Sequence, residues 1–267
     1  MKKIEEQHPC FSGNCRTGRI HLPVAPSCNI QCNYCKRSFD CINESRPGVT
    51  SCVMTPEEAC DYFRRSMHIY NLTVAGVAGP GDALANWDNV RKTFELIRNV
   101  KKDIRFCLST NGLLVPKLAT EIKDAGIEYV TVTMNSLEKE IATQIYDSVI
   151  FENNVKMGFA AASCLIDKQK EGVELLNSLN IKIKVNFVLI PGVNESQIES
   201  VAKFASVNNV SLMNIIPLIP IDGTKFGEIG VSQLQSDIDV YRQIAAKWVP
   251  VMKHCTHCRA DAVGYLS

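Results

Sequence analysis

Six short apolar runs recur along the chain, with stretches of helical periodicity between them: IHLPVAP from Ile20, LTVAGVAG from Leu72, IRFCLST from Ile104, YVTVTMN from Tyr129, IKVNFVLIP from Ile183 and LMNIIPLIP from Leu212. They are rich in Val, Ile and Leu and lack strict polar alternation, the pattern of strands in a parallel sheet covered by helices. The intervening helices are signalled as well. Thr55 followed by Pro56, Glu57 and Glu58 supplies an N-cap hydroxyl, Pro at the first helical position and acids in the first turn. Further helices are predicted over about 90–100, 114–124, 157–179, 195–207 and 232–248. Six alternating strand–helix units predict either an open doubly wound sheet or a partial barrel, and periodicity does not separate the two. Both place chemistry at the C-terminal ends of the strands. No repeat or low-complexity segment divides the 267 residues, so one continuous domain is expected.

Charge and hydropathy remove several classes of function. With 29 Lys and Arg against 28 Asp and Glu the formal charge is +1, which leaves no electrostatic footprint for nucleic acid or an anionic membrane. No run of about 18 apolar residues offers a transmembrane helix. The N-terminal MKKIEEQHPC lacks the apolar stretch of a signal peptide, so a cytoplasmic setting with reduced thiols is expected. The 12 cysteines then point away from disulfides and towards metal.

Cys28, Cys32 and Cys35 form C-x-x-x-C-x-x-C in the loop CNIQCNYC after the first strand, with Tyr34 before the last cysteine. Three thiolates on one short loop can wrap three corners of a cubane 4Fe-4S cluster, which ordinarily takes four cysteines, so one iron is left open. A zinc half-site, or a thioredoxin-like pair from Cys32 and Cys35, is the competing reading, and neither accounts for Cys28. The loop resembles that of the radical S-adenosylmethionine (SAM) superfamily. The resemblance implies that the open iron chelates the amino and carboxylate groups of SAM, and that an electron passed to the sulfonium releases a 5'-deoxyadenosyl radical. Gly79-Pro80-Gly81-Asp82 after the second strand resembles the loop that meets the SAM amino group, although such a sequence also makes an ordinary turn. Ser109-Thr110-Asn111-Gly112 and Thr133-Met134-Asn135 end the third and fourth strands, where polar groups serve equally as caps. Beside the cysteine loop, Tyr34, Gly79, Gly81, Asp82, Asn111 and Asn135 become the expected cofactor-binding residues.

At the far end Cys255 and Cys258 make a C-x-x-C pair in HCTHCRADAVG, and Cys10 follows His8-Pro9 near the start. In a barrel with a missing sector both termini can fold over the open mouth and complete one cluster. A zinc site from Cys255, Cys258 and His254 or His257 is the alternative. Nearly the whole chain resembles the NifB family of nitrogenase iron-molybdenum cofactor biosynthesis proteins. The matching segments, in order, are HPC from His8, RIHLPVAPSCNIQCNYC from Arg19, FDCINESRPGVTS from Phe39, VAGPGDALAN from Val77, CLSTNGL from Cys107, VTVTMN from Val130, KVNFVLIPGVNE from Lys184, IIPLI from Ile215 and CRADAVG from Cys258.

That resemblance implies an α/β fold, a partial (βα)6 TIM-like barrel of the radical SAM type over 20–248. An N-terminal arm over 1–19 and a cluster-binding tail over 249–267 would close over the mouth. It implies a synthase that fuses two auxiliary 4Fe-4S clusters, its substrates, around an inserted carbide into an eight-iron cofactor precursor. One SAM donates a methyl group to a cluster sulfide, a second supplies the radical that removes hydrogen from it, and deprotonation and an added sulfur follow. By motif the radical 4Fe-4S cluster takes Cys28, Cys32 and Cys35, one auxiliary cluster takes His21, Cys41 and Cys107, and the other takes Cys10, Cys255 and Cys258. His21 is also expected to serve as a general base. Glu44 and Arg46, close in sequence to Cys41, are expected to order or deprotonate groups there, a surface ion pair being the plainer alternative. Expected partners are an iron-sulfur cluster donor, a low-potential electron donor and a cofactor carrier or scaffold protein of nitrogenase assembly.

Some features depart from the family pattern. FSGNCRTG between Cys10 and Arg19 is shorter than the family's segment and carries Cys15 where that segment usually has a histidine. Cys52, Cys60 and Cys164 have no family role, and the last two read as core residues of helices. His21 precedes Cys28 by seven residues, about 20 Å if extended at about 3.3 Å each. Either the segment bends at Pro23 or Pro26, or another residue supplies the nitrogen ligand, His8 first. The chain ends nine residues after Cys258, so the product is expected to pass to a separate carrier. Two other readings compete: a radical SAM peptide-modifying enzyme with auxiliary clusters, and an iron-sulfur scaffold without SAM chemistry. A scaffold would close its clusters with four cysteines and would have no use for Gly79, Asp82 and Asn111.

Overall fold

The computed structural model describes residues 8–13, 16–36, 48–228, 238–255 and 257–266. In chain order they form α1 (Pro9–Ser12), β1 (Gly18–His21), β2 (Ile30–Cys32), α2 (Pro56–Met67), β3 (Leu72–Val77), α3 (Trp87–Val100), β4 (Arg105–Thr110), α4 (Val115–Asp124) and β5 (Ile127–Thr133). There follow α5 (Lys139–Ile145), β6 (Tyr146–Phe151), β7 (Asn154–Met157), α6 (Gly158–Ser178), β8 (Lys182–Leu189), α7 (Gln197–Val207), β9 (Leu212–Pro217), α8 (Ile238–Ala246) and β10 (Val263–Gly264). The helix expected to start near 232 is described only from Ile238.

The six predicted strands are parallel neighbours in the order β1-β3-β4-β5-β8-β9, with β10 antiparallel along the outer edge of β1. This order separates the two architectures that periodicity left open. A doubly wound sheet reverses its strand order at a switch point, and this one never reverses, so it winds one way as a partial (βα)6 barrel. Among the described residues β9 pairs with neither β1 nor β10, which leaves one side open.

The strands differ from the sequence reading in one respect that bears on function. Burial alternates strictly along β8: Ile183, Val185, Phe187 and Leu189 are buried, whereas Lys182, Lys184, Asn186 and Val188 are less so. In β4 Phe106, Leu108 and Thr110 alternate with Arg105, Cys107 and Ser109. One face packs against the helices, as where Phe106 stacks on Phe94 of α3 at 4.2 Å between ring centroids. Each such side chain contributes roughly 1.5–3 kcal/mol by its burial. The concave face is thereby left to carry Cys, Lys and Asn.

Local signals in the sequence account for the helices. Thr55 Oγ1 accepts from Glu58 N while Glu58 Oε2 accepts from Thr55 N, closing the capping box of α2. On α3, Val90, Phe94 and Ile97 recur at helical spacing and are buried. No sequence signal marked the antiparallel sheet β2-β6-β7. Its hairpin turns through Glu152 and Asn153, both at positive φ, without the glycine that normally announces such a turn. This sheet and α6 bury a second core around Ile30, Cys32, Tyr146, Val149, Leu165 and Ile166.

The two extensions are placed differently from one another. Residues 250–252 run beside Met213 of β9, and the chain then crosses to β1, where Val263 and Gly264 pair with Ile20 and Arg19. The tail thus spans the missing sector. Helix α1 packs at the N-terminal ends of the strands, with Cys10 against Leu212 and Met252 and with His8 and Phe11 against Tyr129. It closes the floor of the barrel, whereas the expectation placed it over the mouth. No helix among the described residues is long and apolar enough to cross a membrane.

Candidate active site

A cavity of about 310 Å³ runs along the concave face. At its mouth lies the cysteine loop. Cys32 ends β2, which pairs with β6, and the turn that follows is closed by Cys35 N donating to Cys32 O. Gln31 Nε2 donates to the carbonyls of both Cys32 and Cys35, so a side chain of the loop itself helps to shape it. Asn33 N and Nδ2 donate to Ile145 and Gln144 and tie the loop to α5. Cys28, Cys32 and Cys35 all line the cavity.

The Gly79–Asp82 segment docks against this loop. Ala25 bridges Pro80, Gly81 N donates to Ala25 O at 2.6 Å, and Asp82 N donates to Ser27 O at 2.9 Å. A Cβ at Gly81 would stand 2.1 Å from Ser27 O, so glycine is required by close approach of two protein backbones. The Gly79–Pro80 peptide is cis. Asp82 is buried, and its carboxylate accepts from the amides of Leu84, Ala85 and Asn111 and from the Thr110 hydroxyl. Burial raises its pKa despite these four donors. Asp82 therefore straps the β3 loop to the end of β4.

Asn111 continues this chain of contacts. Its side-chain amide donates to Asn29 Oδ1 at 2.6 Å and lies 3.9 Å from Cys28 Sγ, while its Oδ1 accepts from Leu113 N. Asn135 is fully buried, donates to the Tyr34 hydroxyl at 3.0 Å and accepts from Val188 N at 2.8 Å. Asn111 borders the cavity, whereas Asn135 stands behind Tyr34, outside the cavity wall. Of the expected cofactor-binding residues, Tyr34, Gly81, Asp82 and Asn111 thus meet at the cavity, and Gly79 packs beneath it against Ala260.

Deeper in the channel a second group converges. His21, Gly76 and Cys107 occupy one cross-strand row on β1, β3 and β4. A Cβ on Gly76 would lie 2.4 Å from Cys107 Sγ and 3.7 Å from His21 Cδ2, so the glycine makes the space between the two side chains. The chain does not double back after His21. Leu22 N donates to Gly76 O, and Ala25 reaches Pro80, so His21 sits below Cys28 and at the level of Cys107. The seven-residue step from His21 to Cys28 therefore runs up the channel from the row of Cys107 to the cysteine loop.

Burial holds His21 down to about 4, against the opposing pull of the Arg259 carbonyl. The imidazole is therefore neutral, and its Nδ1–H donates to Arg259 O at 3.0 Å. That leaves Nε2 as the nitrogen available to a metal. Burial, reinforced by the neighbouring Cys10 thiol, pushes Cys107 up to about 12. Cys10 is raised in the same direction by burial. Thiols in such a setting become thiolates when a metal replaces the proton, so the donor set suits iron far better than free titration.

Cys10, Cys255 and Cys258 complete this region. Asn214 Nδ2 donates to Cys255 Sγ at 3.2 Å, and the buried Arg19 guanidinium donates to Cys258 Sγ at 2.6 Å and to Gly264 O. Arg259 Nε donates to Asp261, whose other carboxylate oxygen accepts from Ser51 N at 2.7 Å, and this clamp fixes the stretch that orients His21. His254 Nε2 lies 3.2 Å from Cys10 O, against α1. Among the described residues no three His, Cys, Asp or Glu side chains converge closely enough to hold a single metal ion. A cubane spreads its ligands more widely.

Cys41, Glu44, Arg46 and Cys15 lie outside the described residues. Of the other expected ligands, His21, Cys10, Cys28, Cys32, Cys35, Cys107, Cys255 and Cys258 all border this one cavity. None of these cysteines is in a disulfide. Sequence reasoning missed Gly76, Lys184, Arg19 and Gln169, whose buried amide donates to the carbonyls of Asn111 and Thr133. For Gly76 the signal was present, since a glycine inside a strand marks close approach.

The Radical SAM superfamily model matches residues 22–205. The FeMo cofactor biosynthesis protein NifB of Klebsiella pneumoniae is 45% identical over 97% of the chain and 57% of its own length. The NifB protein of Bradyrhizobium diazoefficiens is 41% identical over 98% of the chain and 54% of its own length. The chain thus spans little more than half the length of these relatives. Among solved structures, Streptococcus suis SuiB has a TM-score of 0.60 at 14% identity, over 87% of the chain and 48% of its own. Methylornithine synthase PylB has a TM-score of 0.58 at 12% identity, over 92% and 66% respectively. At such identities these two speak for the fold alone.

Proposed function

Because the chain belongs to the radical SAM superfamily and is a relative of the FeMo cofactor biosynthesis proteins NifB along 97% to 98% of its length, we propose that it is a nitrogenase cofactor synthase. In this reading it fuses two 4Fe-4S clusters, with a SAM-derived carbide and a sulfide, into an eight-iron precursor. The observation that carries the reading is the single channel. Three cysteines stand at its mouth and five further expected ligands stand deeper within it, all lining one cavity.

Cys28, Cys32 and Cys35 would hold the radical cluster, which with SAM supplies a methyl donor and a 5'-deoxyadenosyl radical when bound. The chain's own residues would do the rest by position. Asp82 and Asn111 hold the cysteine loop against the end of β4, at the C-terminal rim where barrel enzymes place their chemistry. His21 and Cys107, with Cys41, would hold one substrate cluster. Cys10, Cys255 and Cys258 would hold the other. Sets of three ligands suit clusters that must later be coupled and released. A neutral imidazole of such low proton affinity favours ligation for His21 over proton abstraction.

An iron-sulfur cluster donor, a low-potential electron donor and a cofactor carrier of nitrogenase assembly belong to the same proposal. A peptide-modifying enzyme with auxiliary clusters shares the fold, and its support is likeness to solved structures such as SuiB at 14% identity, which speaks for the fold alone. The test is iron and acid-labile sulfide per chain after anaerobic reconstitution, with deoxyadenosine and S-adenosylhomocysteine followed on adding SAM and reductant. About twelve irons and both products are expected from three clusters. About four irons with deoxyadenosine alone would refute the reading. In His21→Ala the radical cluster should still cleave SAM, whereas precursor formation should stop.

A further inference from the structure

Among the described residues Lys184 is the one amine in the channel wall, and neither the motifs nor the ligand assignment gives it a task. It stands third on β8, on the concave face, with Ile183 and Val185 on either side buried towards the helices. Its Nζ lies 5.9 Å from the Phe11 ring of α1, which directs it to the floor where Cys10 is held. It lines the same cavity as both the Cys10 and the Cys107 thiols. Those two sulfurs belong to different ligand sets. Among the described residues no hydrogen bond or ion pair engages this ammonium. Asp82 is the sole described carboxylate in the cavity wall, and its oxygens already accept four protein donors.

An ammonium with no hydrogen-bond or ion-pair partner among the described residues, half-buried in a channel lined by two groups of thiols, is poorly placed for stability alone. It becomes well placed once thiolate-bound clusters occupy both groups. Each thiolate set adds negative charge to its cluster, and bringing two such bodies together in a channel of low effective dielectric is opposed by their mutual repulsion. We propose that Lys184 is the substrate-binding cation shared by the two auxiliary clusters. Its ammonium donates hydrogen bonds to sulfides of both and offsets their repulsion as they are brought into contact. This inference rests on the reading of the chain as a cluster-fusing synthase. Arg19 acts on the same two thiols, Cys10 and Cys107, but its guanidinium is already committed by hydrogen bonds to Cys258 Sγ and to Gly264 O, whereas the Lys184 ammonium has no such bond among the described residues.

The test uses the reconstituted chain with Lys184→Met, Lys184→Gln and Lys184→Arg, and reads redox potential as well as product. Spectroscopic titration of the wild type should resolve auxiliary clusters distinct from the radical cluster. In Lys184→Met and Lys184→Gln the auxiliary potentials should move negative, since loss of a nearby positive charge favours the oxidised cluster. SAM cleavage by the radical cluster should stay at the wild-type rate, and precursor yield should fall at least tenfold. Lys184→Arg should restore the potentials. If the neutral variants keep wild-type auxiliary potentials and wild-type yield, the proposal is wrong while the synthase reading stands. If the wild type itself holds only about four irons, the synthase reading fails and the proposal falls with it. Should Lys184→Met lose its fold, Lys184→Gln keeps a polar side chain of similar length, so the potential measurement still decides.

Discussion

Replacing Gly76 by alanine tests the placement of the deeper ligands more sharply than removing a ligand would, because it alters no donor atom. The new Cβ would lie 2.4 Å from Cys107 Sγ and 3.3 Å from Cys107 O. Ordinary contact needs roughly 3.5–4.0 Å. The sulfur therefore has to retreat by roughly 1.1–1.6 Å, or the side chain has to turn to another rotamer. A metal ligand tolerates displacements of about 0.2 Å, so either response takes Cys107 out of range of a cluster shared with His21. The steric cost itself is modest, about 1–3 kcal/mol for overpacking, against a typical domain stability of about 5–15 kcal/mol. The fold should survive. After anaerobic reconstitution, Gly76→Ala should hold about eight irons where the wild type holds about twelve. Deoxyadenosine formation should persist and precursor formation should be lost. Wild-type iron content together with wild-type precursor yield would show that Cys107 and His21 do not share a cluster across this row.

Two further predictions concern the struts around the site. Asp82→Ala leaves three backbone amides and the Thr110 hydroxyl without their acceptor. At about 1–3 kcal/mol per buried orphan, partly relieved by water, the loss should be roughly 3 kcal/mol or more. Urea unfolding of the cluster-free chain measures it, and SAM cleavage after reconstitution should fall at least tenfold because Asn111 no longer steadies the cysteine loop. The second concerns pH. Although burial alone would raise it, Asp261 is held at about 2 by the Arg259 guanidinium and by hydrogen bonds from Ser51. A depressed carboxylate contributes stability above its unfolded pKa near 3.9 and loses it as pH falls through the folded value. The cluster-free wild type should therefore lose ~1 kcal/mol between about pH 4 and pH 2, solvent screening having reduced the full effect. Asp261→Asn should show no such step, and an identical pH profile in both proteins would remove the clamp from the account.

The fold was legible because its signals are local and repeated. Six apolar runs marked six parallel strands, and Thr55 with Glu58 marked a helix start that the capping box realises. Strand order decided between barrel and open sheet, and order is a long-range property that no window of sequence contains. The hairpin over 146–157 escaped because its turn uses Glu152 and Asn153 in place of glycine. The polar alternation of β8 escaped because Val188 breaks the polar series of the channel face and makes the run end as if it were wholly buried.

The site was legible to different degrees for reasons that are equally physical. Cys28, Cys32 and Cys35 lie within one turn of loop, so their spacing alone states that they can share a cluster. Cys10, Cys255 and Cys258 meet only because the tail spans the missing sector and α1 closes the floor, and spacing says nothing about that meeting. Polar residues at strand ends were the hardest to read. Asp82 borders the cavity as expected and Asn135 stands behind Tyr34, yet the oxygens of both face backbone amides. A carboxylate or amide at the end of a strand can satisfy the backbone or present itself to a ligand, and the sequence is the same in either case. What separates the two is the count of donors already in place. By that count Asp82 is committed to steadying the cysteine loop, whereas Lys184, with no hydrogen-bond or ion-pair partner among the described residues, is the group proposed to meet a ligand directly.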